Sequence, residues 1–128
     1  MTAQRSLALG IFTLATTIGS MVVMAPAADA QTRQGSATWT NFDGGACGLA
    51  ASNSSMAAGV SIGLFGTGAL CTKQLLVTSN SGKTVKVSVV DKCMGCSDND
   101  LQLTPAAFQA LGYPLGMGRA PITWSIMQ

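Results

Sequence analysis

Lys83-Thr84-Val85-Lys86-Val87-Ser88-Val89-Val90-Asp91-Lys92-Cys93-Met94-Gly95-Cys96 is the most informative run in this sequence of 128 residues. Val85, Val87 and Val89 alternate with Thr84, Lys86 and Ser88. A period of two in β-branched residues predicts a half-buried strand. Leu75-Leu76-Val77-Thr78-Ser79 stands upstream, separated by Asn80-Ser81-Gly82. Three turn residues that include Gly predict a hairpin with a bulge. Asp91 then falls at the end of a buried strand, where it either anchors a loop through hydrogen bonds or lines a cleft.

Further strands are expected on either side. Ser36-Ala37-Thr38-Trp39-Thr40 reads as a first strand, closed by the turn residues Asp43-Gly44-Gly45. Residues 57–65 are apolar but interrupted by Gly59 and Gly63, and an irregular or bulged strand is expected, because each Gly costs a helix about 1 kcal/mol. Pro121-Ile122-Thr123-Trp124-Ser125-Ile126 reads as a closing strand with Ile122, Trp124 and Ile126 inward. One short helix is expected over residues 106–111, with Thr104 as cap, Pro105 in the first helical position and Gly112 as stop. The fold class is therefore mainly β, a small barrel with one short helix.

The first thirty residues form a separate unit. Arg5 is followed by an apolar run from Leu7 to Ala25, then Pro26 and Ala28-Asp29-Ala30. A basic start, an apolar core and an A-x-A end predict a secretory signal peptide over residues 1–30, cut before Gln31. Residues 31–128 then form one secreted, extracellular domain, expected to be a monomer with no membrane attachment after cleavage. All four Cys (Cys47, Cys71, Cys93 and Cys96) lie in that domain. An even count in an exported chain predicts two disulfides.

Composition removes several functions. The chain has no His, so His metal sites and Ser-His-Asp catalysis are excluded. A net charge of +2 gives no support to nucleic-acid binding. Cys93-Met94-Gly95-Cys96 is a C-x-x-C run, but the Gly- and Asp-rich loop after it does not resemble a redox helix. Cys47 and Cys71 are not a close pair, as a four-Cys zinc site would require. Neither a metal nor a cofactor is expected. Asp98 and Asp100 lack calcium-loop spacing and are read as solvated. Asn53-Ser54-Ser55 fits a glycosylation acceptor.

Six segments together resemble the expansin-like double-psi β-barrel proteins, a group including rare-lipoprotein-A domains, barwin and a secreted papain inhibitor. They are Gly35-Ser36-Ala37-Thr38-Trp39, Gly44-Gly45-Ala46-Cys47-Gly48, Cys71-Thr72-Lys73, residues 89–96, residues 101–108 and Ile122-Thr123-Trp124. The resemblance implies a six-stranded barrel with two crossing loops and the disulfide pairing Cys47–Cys93 and Cys71–Cys96. It also implies a polar groove that uses a strand-end Asp, matched here by Asp91, while Trp39-Thr40 stands where many relatives have paired Tyr residues. A second groove Asp of wall-acting relatives is replaced here by Gln102. Gln accepts and donates hydrogen bonds but cannot protonate a leaving group, and glycoside cleavage generally uses two carboxylates.

The expected role is noncatalytic: binding or loosening of cell-wall polysaccharide through Thr38, Trp39, Asp91 and Gln102. The alternative is inhibition of a secreted papain-like cysteine protease by a rigid loop, with residues 63–69 and 115–120 as candidates. A third reading, a lytic enzyme acting on peptidoglycan or glucan, is weakened by Gln102 at the expected second Asp position.

Overall fold

A computed structural model of the protein describes residues 31–128. The signal-peptide reading of residues 1–30 lies outside the described residues. Six strands carry the fold: β1 Arg33–Trp39, β2 Ala57–Ser61, β3 Gln74–Ser79, β4 Thr84–Cys93, β5 Leu101–Leu103 and β6 Arg119–Ile126. They close into a barrel in the order β1-β5-β2-β4-β3-β6. Two pairs, β1 with β5 and β2 with β4, are parallel, and the remaining pairs are antiparallel. Parallel neighbours need crossover connections rather than tight turns. The connection from β2 to β4 accordingly runs by way of β3, and that from β1 to β5 by way of β2, β3 and β4.

The expected alternation holds where it was clearest. Leu75, Val77, Val87 and Val89 are wholly buried and meet Ile122 and Trp124 in the core. The hairpin pairs Thr78 with Thr84, and Gly82 at φ 95° supplies the left-handed turn residue. Strand β4 continues three residues further than expected, through Asp91 and Lys92 to Cys93.

Residues 57–65 depart from the irregular-strand expectation. Strand β2 ends at Ser61, and Ile62–Phe65 forms a short helix, α1. Ser61 causes the switch. Its buried Oγ accepts the Leu64 N–H at 3.1 Å and donates to Asp98 Oδ1 at 2.6 Å. Gly63 leaves room for this contact, since a Cβ there would lie 3.0 Å from Asp98 Oδ1 and the carboxylate would have to give by a few tenths of an ångström. The described residues thus carry two short α-helices rather than one.

The second helix, α2, is Pro105–Ala110. Thr104, fully buried, caps it by accepting the Ala107 N–H at 3.2 Å while donating to the Ser55 carbonyl. Thr104→Val keeps the shape and removes both bonds. We expect it to lower stability by about 2–3 kcal/mol, since the cap is lost and the Ser55 carbonyl is left without its donor. A urea midpoint unchanged from the wild-type value would refute that role.

The disulfides differ from the pairing implied by resemblance. They are Cys47–Cys71 and Cys93–Cys96, not Cys47–Cys93 and Cys71–Cys96. Strand register explains why. The Cys47 N–H donates to the Val90 carbonyl and the Thr72 N–H to the Val89 carbonyl, so both segments meet β4 at one level. Cys93 is three residues further along, about 10 Å away at strand rise. There a tight turn, with the Cys96 N–H donating to the Cys93 carbonyl at 3.3 Å, brings its partner alongside.

Candidate functional site

One cross-strand row organises the outer face of the barrel. Arg119 of β6 is in register with Thr38 of β1, and Thr38 with Gln102 of β5. Gln102 is then in register with Gly59 of β2, and Gly59 with Asp91 of β4. A bulge between Ala58 and Gly59 sets this last pairing. Inward neighbours on three of these strands, Ala37 of β1, Leu101 and Leu103 of β5, and Ala58 and Val60 of β2, are fully buried. The row is therefore polar because core packing fixes the opposite parity.

A cleft of about 450 Å³ opens along the row, lined by Thr38, Gln102 and Arg119, with Lys92, Asp100 and the Cys93–Cys96 turn opposite. Two of the expected groove residues, Thr38 and Gln102, meet in it. Trp39 and Asp91 do not line it.

Strand parity accounts for Trp39. It shares a face with buried Ala37 and pairs with buried Leu103, so adjacent Thr38 and Trp39 point to opposite sides. The ring packs against the main core, and its Nε1–H donates to the Leu115 carbonyl at 2.8 Å. It pins the 3-10 turn Leu115–Met117 from a half-buried position outside the cleft.

Asp91 is an anchor. Its Oδ1 accepts the Ala46 N–H and the Lys92 N–H, both at 2.8 Å. The loop it holds precedes it in sequence rather than following it. Gly45 makes the approach possible, since a Cβ there would lie 2.4 Å from the Val90 carbonyl oxygen and 2.9 Å from Asp91 Cβ.

Residues read as solvated prove to be structured. Asp98 holds Ser61, as described. Asp100 Oδ1 accepts the Ser36 N–H at 2.9 Å, and Oδ2 approaches Arg119 at 3.8 Å. Lys92 extends over the Phe65 ring, 5.9 Å from its centroid. The cleft thus holds two cations, one engaged carboxylate, a hydroxyl and an amide. Spacing in sequence gave no sign of Asp100, because residues from β1 and β6 recruit it across the barrel. Asn53, the possible glycosylation acceptor, is exposed, and its side chain accepts the Phe42 N–H and donates to Asn41. Among the described residues, no group of three or more His, Cys, Asp or Glu could hold a metal ion.

The fold and the cleft can be set beside known proteins. Ripening-related protein 6 of Oryza sativa subsp. japonica is 37% identical over 79 residues, covering 58% of this chain and 47% of that protein. The apo expansin of Clavibacter michiganensis superposes with a TM-score of 0.70 at 31% identity, covering 77% of this chain and 51% of its own. An aspartate-to-asparagine mutant of that expansin, in complex with cellohexaose, also gives 0.70, at 32% identity. The Streptomyces papain inhibitor gives 0.69 at 32% identity, covering 77% of this chain and 96% of its own. The chain spans about half the length of the rice protein and of the expansin. A family model described as lytic transglycolase matches residues 32–124. With its closed six-stranded barrel and a match across nearly all the described residues, the chain belongs to this double-psi β-barrel family.

Proposed function

We propose that the cleft binds a polysaccharide strand of a cell wall without cleaving it, and that the protein acts outside the cell. The observation that carries this reading is the register-aligned polar row, in which Thr38, Gln102 and Arg119 line one open cleft. A hydroxyl, an amide and a guanidinium suit a ligand rich in hydroxyl groups. The expansin neighbour seen with cellohexaose supports the same ligand class. The noncatalytic part rests on the carboxylates. Asp100 is the sole carboxylate lining the cleft, and both its oxygens already have partners. The usual pair of acid and base or nucleophile is missing from the lining. With Trp39 turned inward, binding depends on hydrogen bonds and charge rather than on ring stacking.

The test is pull-down of the oxidised protein by insoluble cellulose, chitin and peptidoglycan, with soluble sugar products assayed in parallel. Gln102→Ala and Arg119→Ala are each expected to weaken binding by about 2- to 12-fold, the worth of one net hydrogen bond. Trp39→Phe, which keeps the packing, is expected to leave it unchanged. Full retention in both cleft variants, or sugar release by the wild type, would defeat the reading.

A second reading has its own observation. The papain inhibitor matches over 96% of its length, and a turn pinned by Trp39 presents Met117 at 49% exposure. A rigid, pre-organised loop is what a protease inhibitor needs. Stoichiometric inhibition of papain that is lost in Met117→Asp but kept in Gln102→Ala would select this reading over the first.

A further inference from the structure

Pairing within the C-x-x-C run changes what that run can do. Cys93–Cys96 closes a ring with a sequence separation of 3, whereas Cys47–Cys71 spans 24. A disulfide stabilises a fold in proportion to the logarithm of the loop it closes. The long ring therefore adds roughly 15- to 20-fold more to the folding equilibrium than the short one. The two bridges also differ in surroundings. Cys47 and Cys71 are half-buried at the margin of the main core. In the short ring Met94 is 73% exposed, Gly95 is exposed and Cys96 is half-buried, while Cys93 is buried. No atom lies within 4 Å of the position a Cβ on Gly95 would take. Finally, all four ring residues line the cleft, beside Lys92 and Arg119.

We propose that Cys93–Cys96 is a thiol–disulfide exchange site whose opening loosens one wall of the cleft while the barrel stays folded. The co-reactant is a dithiol reductant. Its thiolate attacks Cys96 Sγ, the more accessible sulfur. The Cys93–Cys96 bond breaks, its electron pair leaves on Cys93 Sγ, and that sulfur takes up a proton. The second thiolate of the reductant then attacks the reductant sulfur of the mixed disulfide. This closes the reductant's own disulfide and releases Cys96, which is protonated in turn. The protein gains two electrons and two protons, and the reductant loses the same. Cys47–Cys71 and the closed sheet hold the remaining fold. The site does not depend on which ligand the cleft takes.

The experiment uses the oxidised protein, graded dithiothreitol under native conditions, an iodoacetamide quench and peptide mass spectrometry. Alkylation of Cys93 and Cys96 is expected at reductant concentrations that leave Cys47 and Cys71 unlabelled. Near-ultraviolet circular dichroism is expected to keep its Trp signal across that window. Simultaneous opening of both bridges, prior opening of Cys47–Cys71, or loss of the Trp signal with the first label would each overturn the proposal. The double variant Cys93→Ser/Cys96→Ser provides an independent check. It is expected to fold and to lose less Tm than Cys47→Ser/Cys71→Ser. Failure of the first double variant to fold, or a larger loss than in the second, would also overturn it.

Discussion

Trp124→Ala is expected to lower the melting temperature by about 15–30 °C, the largest effect of any single side-chain truncation in this barrel. Trp124 is 1% exposed and lies on β6 opposite Val77 of β3 and Arg33 of β1. Its removal leaves a cavity at the centre of the core, where Trp-to-Ala changes cost about 3–5 kcal/mol. It also removes a donor. The indole Nε1–H bonds to the Asn99 carbonyl at 2.8 Å, so the segment over residues 97–100 loses its tie to β6. Arg33, 5.5 Å from the ring centroid, loses its aromatic face as well. Trp124→Phe keeps most of the volume but not the bond, and is expected to show a clearly smaller loss. Thermal unfolding followed by circular dichroism gives both values. A drop in Trp124→Ala below about 5 °C would mean that the ring is not central to the core.

The second large effect comes from the other side of the same segment. In Gly35→Ala the new Cβ would fall 1.9 Å from the Asn99 carbonyl oxygen and 2.6 Å from its carbon. Both are backbone atoms, so no side-chain rotation relieves the overlap. The segment must shift, and the expected cost is about 3 kcal/mol, the upper end of the overpacking range. The cleft suffers with it. Asp100 follows Asn99 and holds both the Ser36 N–H and Arg119 from that position. Gly35→Ala is therefore expected to weaken any cleft ligand as well as the fold. Gly116→Ala is the control: no atom lies within 4 Å of its Cβ position, and a change within about 0.5 kcal/mol is expected. Equal urea midpoints for the two variants would show that the segment yields freely.

How far the sequence could be read follows from which interactions are local. Hairpin β3–β4 was legible because alternation of Val with polar residues states both the strand and its buried face. Helix α2 was legible because Thr104, Pro105 and Gly112 are boundary signals within a few residues of one another. Helix α1 was not, since its start depends on Ser61 bonding to Asp98, a residue brought in by the chain's path. The cleft was legible in half. Thr38 and Gln102 fall in it because their strands pair in register, and the resemblance had aligned them. Trp39 was assigned to the same groove although strand parity turns it away from Thr38, a conflict visible in the alternation itself. Cysteine pairing depended on where three separate segments touch β4, which no spacing reveals.

Closure of the sheet also limits how anything larger can hold this protein. Every described strand has a neighbour on both sides, so none offers an edge open along its whole length to an added strand from a peptide or a second molecule. Augmentation, the route by which extended peptides often dock, is left only short stretches of ladder. Recognition at the barrel wall then falls mainly to side chains and turns.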